Sequence, residues 1–279
     1  MYIVNSLQLK EQLQAFLKED IGNGDISSEF IFNKGTKGKI SFLAKEDGIF
    51  CGKDIITTGY QLLDSEIQVK EFVEDGDKIR KGDRIVEVSG SVPALLSGER
   101  VILNLLQRLS GIATLTNQAV TVLDDDHTRI CDTRKTTPGL RMLEKYAVRC
   151  GGGYNHRFGL YDAVMLKDNH LTFAGSLQQA VQRVRKQVGH TVKIEVEVET
   201  KDQVREAVEA GADIIMFDNC SPELVKEFQQ LVPAHILTEA SGGIQLDNLA
   251  TYRNTGVDYI SLGFLTHSVP SLDISVEAI

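Results

Sequence analysis

Residues 37–52 (KGKISFLAKEDGIFCG) and 66–90 (EIQVKEFVEDGDKIRKGDRIVEVSG) alternate apolar and polar positions with a period of two, interrupted at Asp-Gly and Lys-Gly. That pattern predicts short antiparallel strands joined by turns. From Pro93 to about Leu123 the spacing changes: Leu95, Leu96, Val101, Ile102, Leu105, Leu106 and Leu109 fall at helical intervals, and Pro93 suits an early helical position. This long helix is expected to join two domains. Beyond it, six apolar runs at 129–132, 162–167, 193–199, 213–218, 235–240 and 258–263 read as strands, each followed by an amphipathic or capped helical stretch. Among these helices are SLQQAVQRVRKQV, KDQVREAVEAGA, SPELVKEFQQLV and QLDNLATYRNTG, several opening on Ser, Lys-Asp or Asp and closing at Gly.

Strands alternating with helices predict a parallel sheet covered by helices, an α/β architecture preceded by a strand-rich α+β unit. Where the polar residues fall separates a barrel from an open sheet. Lys167, Glu197, Asp218, Ser241-Gly242-Gly243 and Gly263 stand at or just past the ends of successive strands, and Arg134-Lys135 follows the first. A TIM-like barrel brings all those ends to one mouth, whereas a doubly wound sheet gathers its groups at one switch point. We therefore read a barrel.

Composition narrows the partners. At 279 residues and 42% hydrophobic the chain can bury a substantial core. No run approaches the roughly 18 apolar residues of a membrane span, and MYIVNSLQLKEQLQ lacks the basic start and apolar stretch of a signal peptide, so a cytoplasmic location is expected. Cys51, Cys131, Cys150 and Cys220 are scattered and read as reduced structural thiols, without zinc or a disulfide framework. A formal net charge of -9 argues against nucleic acid as partner. Against that background, Arg134, Lys135, Arg141, Lys145, Arg149, Arg157 and Lys167 face only Glu144 and Asp162 between positions 134 and 167. A local basic pocket in an acidic protein asks for a compact anion.

Several residues carry specific chemistry. Ser241-Gly242-Gly243 before an expected helix, with Gly263 one βα unit later, lets backbone N–H groups approach a phosphate; alone, the Ser-Gly-Gly would read as an ordinary turn. In IEVEVE the alternation puts Glu195, Glu197 and Glu199 on one face, which argues for Mg²⁺, a polyol or neighbouring lysines; the plainer alternative is a solvent-facing strand or salt bridges to Lys167 and Lys193. Asp218-Asn219 can serve the site or cap the helix beginning near Pro222. Arg134, Lys135, His156, Arg157 and Lys167 gather enough cationic donors for a substrate with two carboxylates and a polyphosphate. Arg141, Lys145 and Arg149 are spaced i, i+4 and read as a solvated helix face. His170 and His267 read as hydrogen-bonded structural residues.

The stretch DTRKTTPGLRMLEKYAVRCGGGYNHRFGLYDAVMLKDNH, followed by IEVEVET, IIMFDN, EASGGI and ISLGFLTHS, resembles the quinolinate phosphoribosyltransferase family. The likeness begins at EDIGNGDISS, runs through LLSGERVILNLLQRLSGIAT and keeps the family order to the C-terminal DIS. It implies an incomplete TIM-like α/β barrel with a strand-rich α+β N-terminal domain: residues 1–111 as a partner-contacting domain, 112–267 as the catalytic barrel, and 268–279 as a tail returning to the first domain. It implies transfer of phosphoribose from phosphoribosyl pyrophosphate to quinolinate with loss of CO₂, giving nicotinate mononucleotide and pyrophosphate for NAD synthesis, in a homodimer with shared active sites. By the same resemblance Thr133, Arg134, Lys135, His156, Arg157 and Lys167 match the quinolinate and pyrophosphate pocket, and Arg100 matches an arginine reaching into the neighbouring subunit's site. Lys135, Lys167, Glu197 and Asp218 are the expected catalytic residues. Mg²⁺ is expected near Glu197 and Asp218, held largely through substrate and water, and Ser241, Gly242, Gly243, Leu262, Gly263 and Phe264 form the expected 5′-phosphate cradle. The rival readings are a molybdate-operon relative of the family, a nicotinate phosphoribosyltransferase, and a non-catalytic binder of phosphorylated metabolites.

Overall fold

A computed structural model of the chain describes residues 4–33, 35–167, 170, 173 and 175–279. It divides into two compact units: Met1–Asn117 with Thr137–Gly152 and Ser268–Ile279, and Gln118–Thr136 with Gly153–His267.

The first unit contains the expected short strands: β1 (Lys37–Ala44), β2 (Gly48–Ile49), β3 (Gln68–Glu71), β4 (Lys78–Ile79) and β5 (Arg84–Ser91), joined by a strand from the C-terminus, β12 (Ile274–Ala278). Four of them form an antiparallel sheet in the order β12-β1-β5-β3. Alternation leaves Phe42, Val86 and Val88 buried, and the Phe42 ring meets Tyr60 edge-to-face at 6.4 Å. The helix Val92–Leu123 carries the chain from this unit into the second.

The helix Arg141–Cys150 overturns the reading of a solvated basic face. Lys145 is fully buried, and Arg141 and Arg149 are half-buried. Beside Lys145, buried Glu144 accepts from Arg108 Nε at 2.8 Å and from the Thr137 backbone N–H at 3.0 Å, while Arg108 also reaches Thr137 Oγ1. A buried carboxylate is tolerated when met in this way. None of the four cysteines is in a disulfide, but Cys51 and Cys150 are not scattered in space: their sulfurs and an Asp75 oxygen lie within 4.8 Å of one another.

The second unit holds all six expected parallel strands: β6 (Arg129–Cys131), β7 (Val164–Leu166), β8 (Ile194–Val198), β9 (Ile214–Asp218), β10 (Leu237–Ser241) and β11 (Tyr259–Ser261). Their order is β6-β11-β10-β9-β8-β7, so the first two strands in sequence lie at opposite ends of the sheet, an open α/β barrel. Two of its helices begin at the expected serines, Ser176 and Ser221 before Pro222, and the helix expected to open on Lys-Asp is capped one residue earlier by Thr200, with a capping box to Gln203.

The stretch 245–256 departs from expectation, forming a single 3₁₀ turn over Leu249–Tyr252 in place of an α-helix. Local side-chain bonds win there. Asn248 Oδ1 accepts from Gln245 N at 2.8 Å while its Nδ2 donates to Gly243 O, Thr251 Oγ1 donates to Asn248 O, and Asn254 takes a left-handed φ of 58°. Among the described residues, no helix is long and apolar enough to cross a membrane.

Candidate active site

The C-terminal ends of the barrel strands surround a cavity of about 580 Å³. Thr133, Arg134, Lys135, His156, Arg157, Lys167, Glu197, Asp218, Ser241, Gly242 and Gly243, all singled out by sequence, line it.

Its cationic wall comes from two loops and the end of β7. After β6, Thr133 Oγ1 accepts from Lys135 N at 3.0 Å, a tight turn that carries Arg134 and Lys135 at the cavity. Arg134 Nε is buried with no hydrogen-bond partner, a donor whose orphaning costs about 1–3 kcal/mol unless a ligand meets it. Arg157 is braced from behind, donating to Ala163 O at 2.9 Å and to Met165 Sδ at 3.5 Å. Burial, and then the nearby Arg134 charge, pull the Arg157 guanidinium below its usual range. Two guanidiniums held together at partial burial favour an anion between them. Lys167 is paired with Glu197. Asp168 and Asn169 of the MLKDNH motif lie outside the described residues.

The row of three carboxylates on β8 separates by depth. Glu199 lies beyond the strand and is exposed. Glu197 lines the cavity, and burial raises its carboxyl above the ordinary range despite Lys167. Nearby Asp218 raises it further; its own Oδ2 accepts from Asn219 Nδ2 at 2.9 Å. Glu195 is buried and faces His156 Nε2 at 3.1 Å. Two residues not anticipated join it: buried Glu239 on β10, 3.6 Å from the same nitrogen, and Ser261 on β11, which donates to Glu239 and lines the cavity. A parity signal for both existed in the sequence, since Glu239 precedes Ser241 by two and Ser261 precedes Gly263 by two, so each shares a face with its partner.

The same cavity is lined by backbone as well. Gly242 and Gly243 take φ of 83° and 67°, open to glycine at little cost. A Cβ on Gly242 would come within 2.4 Å of Asn219 Oδ1 and 2.8 Å of Asn219 N. At Gly263 the missing side chain makes room for the Lys135 stem, which a Cβ would approach to 3.0 Å. Leu262 and Phe264 bury their side chains in the core, and the Leu262 N–H is already bonded to Cys131 O at 2.9 Å. Arg100 lies in the first unit with its side chain 61% exposed.

An open α/β barrel with guanidiniums, lysines and backbone glycines around one mouth belongs to the class of barrels that handle phosphorylated, anionic substrates. Residues 25–110 match the N-terminal domain of quinolinate phosphoribosyl transferase and residues 112–277 its C-terminal domain. The chain therefore belongs to the quinolinate phosphoribosyltransferase family of pentosyltransferases. It is 59% identical to a probable nicotinate-nucleotide pyrophosphorylase [carboxylating] of Bacillus subtilis, over 98% of this chain and 94% of that one. It is 39% identical to a mitochondrial quinolinate phosphoribosyltransferase [decarboxylating] of Nicotiana glauca, over 96% of this chain and 82% of that one. Its structure is similar to that of NadC from Streptococcus pyogenes, with a TM-score of 0.96 and 42% identity over the whole of both chains.

Proposed function

We propose that this protein transfers the phosphoribosyl group of phosphoribosyl pyrophosphate to quinolinate and releases CO₂, yielding nicotinate mononucleotide and pyrophosphate. The observation that carries the reading is the orphaned Arg134 Nε beside Arg157, inside a cavity that Gly242-Gly243 also line. One end suits a dicarboxylate and the other a phosphate ester. Arg134, Arg157 and Lys135 bind the anionic groups, while Ser241, Gly242 and Gly243 seat the 5′-phosphate through backbone N–H groups, joined by backbone near Gly263 and Phe264.

As the bond to pyrophosphate breaks, positive charge grows on the sugar, and the Glu197 and Asp218 carboxylates stabilise it. Lys167, paired with Glu197, works against the burial that raises the Glu197 carboxyl. The same two carboxylates offer hard oxygen donors on one wall, a set that fits Mg²⁺ held otherwise by pyrophosphate and water. When bound, that ion neutralises charge on the departing pyrophosphate. Once the ring nitrogen carries ribose it is cationic, and that charge stabilises the electron pair left behind by CO₂.

A homodimer with shared sites is supported by exposed apolar side chains on the first unit, Leu7, Ile26, Phe30 and Ile31, and by exposed Arg100, which would reach a partner's site. The division into a partner-contacting domain over 1–111, a barrel over 112–267 and a tail over 268–279 draws support from the matched spans and from the pairing of β12 with β1. A cytoplasmic location accords with the absence of a membrane-crossing helix among the described residues.

The test is turnover with phosphoribosyl pyrophosphate and either quinolinate or nicotinate, with Mg²⁺ or with a chelator. Nicotinate mononucleotide and CO₂ from quinolinate, dependent on Mg²⁺, is expected. Product from nicotinate alone would move the chain to a nicotinate enzyme, and tight binding without product would move it to the molybdate-operon relative or the binder.

A further inference from the structure

Loss of CO₂ leaves a ring carbon that needs a proton, and several of the residues assigned so far are poor donors. Guanidiniums hold their protons at any physiological pH, and Lys167 is engaged by Glu197. His156 is committed on both nitrogens: Nδ1 accepts from the Arg157 backbone N–H at 2.8 Å, so the ring proton sits on Nε2, aimed at Glu195 and Glu239. Ser261 is placed differently. It lines the cavity, and its hydroxyl is hydrogen-bonded to the buried Glu239 carboxyl.

Glu239 sits in a core that resists another negative charge. Facing it are Ser261 from β11, Glu195 from β8, the His156 imidazole, and Asp132 just past β6, whose carboxylate accepts from His156 N at 2.8 Å and Asn155 Nδ2 at 2.7 Å. Burial, with Glu195 next in weight, pushes Glu239 up to about 7. Near neutral pH a large share of it is therefore a carboxylic acid, in the range where a proton is both held and releasable.

We propose that Ser261 is the catalytic proton donor that completes decarboxylation, and that Glu239 beneath it resupplies the proton. The inference rests on the quinolinate reaction proposed above. The bond from the ring carbon to its carboxylate breaks, CO₂ leaves, and the electron pair stays on the carbon beside the cationic nitrogen. The Ser261 hydroxyl, which rests against Glu239, turns to give that carbon its proton as CO₂ leaves, while Ser261 Oγ takes the proton of the Glu239 carboxylic acid. Glu239 is left as a carboxylate near the His156 Nε2–H, and water restores its proton. Ser261 touches the reacting carbon, whereas Glu239 acts through it.

The experiment follows pyrophosphate and CO₂ separately in a single turnover of quinolinate and phosphoribosyl pyrophosphate by the Mg²⁺-loaded protein. Ser261→Ala is expected to lower the ratio of CO₂ to pyrophosphate formation rates at least about 10-fold, the low end of a general acid's contribution or below, and Ser261→Thr, which keeps the hydroxyl, to restore it. In the wild type that ratio should fall as pH rises through about 7, and in Glu239→Gln it should be low and independent of pH. Parallel loss of both products in folded Ser261→Ala, or an unchanged ratio, overturns the relay, as does a pH profile in Glu239→Gln like that of the wild type. No pyrophosphate from wild-type protein would instead overturn the quinolinate reading itself.

Discussion

Replacing Gly242 by Ala should weaken phosphoribosyl pyrophosphate binding far more than quinolinate binding. The backbone there has a φ of 83°, where an L side chain costs roughly 1–2 kcal/mol. The new Cβ would also stand 2.4 Å from Asn219 Oδ1 and 2.8 Å from Asn219 N. The amide oxygen can swing away, but the backbone nitrogen is held by its bond to Ser241 O at 2.9 Å. The cheapest relief is movement of the 241–243 turn, which takes the N–H groups out of register with the phosphate. If about 2–3 kcal/mol of strain is relieved at the expense of binding, affinity falls about 30- to 150-fold.

Gly211→Ala provides the control. Its φ is 78° and nothing lies within 4 Å of its added Cβ, so it carries comparable backbone strain at the end of the helix Lys201–Ala210 without touching the cavity. It should cost about 1 kcal/mol of stability, lower Tm by roughly 2–4 °C and leave both KM values alone. The assay is steady-state KM for each substrate at saturating levels of the other, with Tm alongside. A Gly242→Ala protein whose KM for phosphoribosyl pyrophosphate stays within about 3-fold of wild type would refute the phosphate-cradle reasoning.

Two further outcomes follow from the same structure. Glu239 holds its proton more tightly folded than unfolded, so its contribution to stability is full below about 4.5, is lost progressively as pH rises toward about 7, and is absent above that; Tm followed from pH 5 to 8 should decline in wild type, and Glu239→Gln should flatten the decline. If Arg100 serves the partner's site, mixing inactive Arg100→Ala subunits with inactive Lys167→Ala subunits should recover part of the activity, and no recovery in verified mixed dimers removes the shared-site proposal.

The strands were legible because their pattern is local. All six barrel strands appear within about two residues of their apolar runs, since burial of Ile194, Val196 and Val198 on one strand is written as alternation. What failed to read out was decided by partners distant in sequence. Lys145 sits at solvent-face spacing yet is buried, in a helix whose neighbouring Glu144 is met by Arg108 from another element. The helix expected from Gln245 gave way to side-chain bonds at Asn248 that no periodicity reveals. Cys51 and Cys150 carry no spacing signal because the fold, not the sequence, brings them together. Glu239 and Ser261 are intermediate: their parity was readable, but His156, the group that unites them, comes from a loop.

Charge explains why an acidic chain tolerates this barrel interior. Asp132, Glu195 and Glu239 are buried beneath the basic wall, and each alone would be costly. They are not alone: Asp132 accepts from Asn155 and His156, Glu195 faces the His156 N–H, and Glu239 is drawn toward its neutral form. On the other side, the Glu195 and Glu197 charges act against the burial and the Arg134 charge that lower Arg157. Negative floor and positive wall thus offset one another before any substrate arrives, and the uncompensated element is the buried Arg134 Nε. A ligand with one carboxylate can meet Arg157 or Arg134, whereas a ligand with two on adjacent carbons can meet both. Leaving that nitrogen unpaired costs about 1–3 kcal/mol, or about 5- to 150-fold in affinity. The preference for a dicarboxylate over a monocarboxylate then arises less from an added attraction than from the penalty the smaller ligand leaves unrelieved.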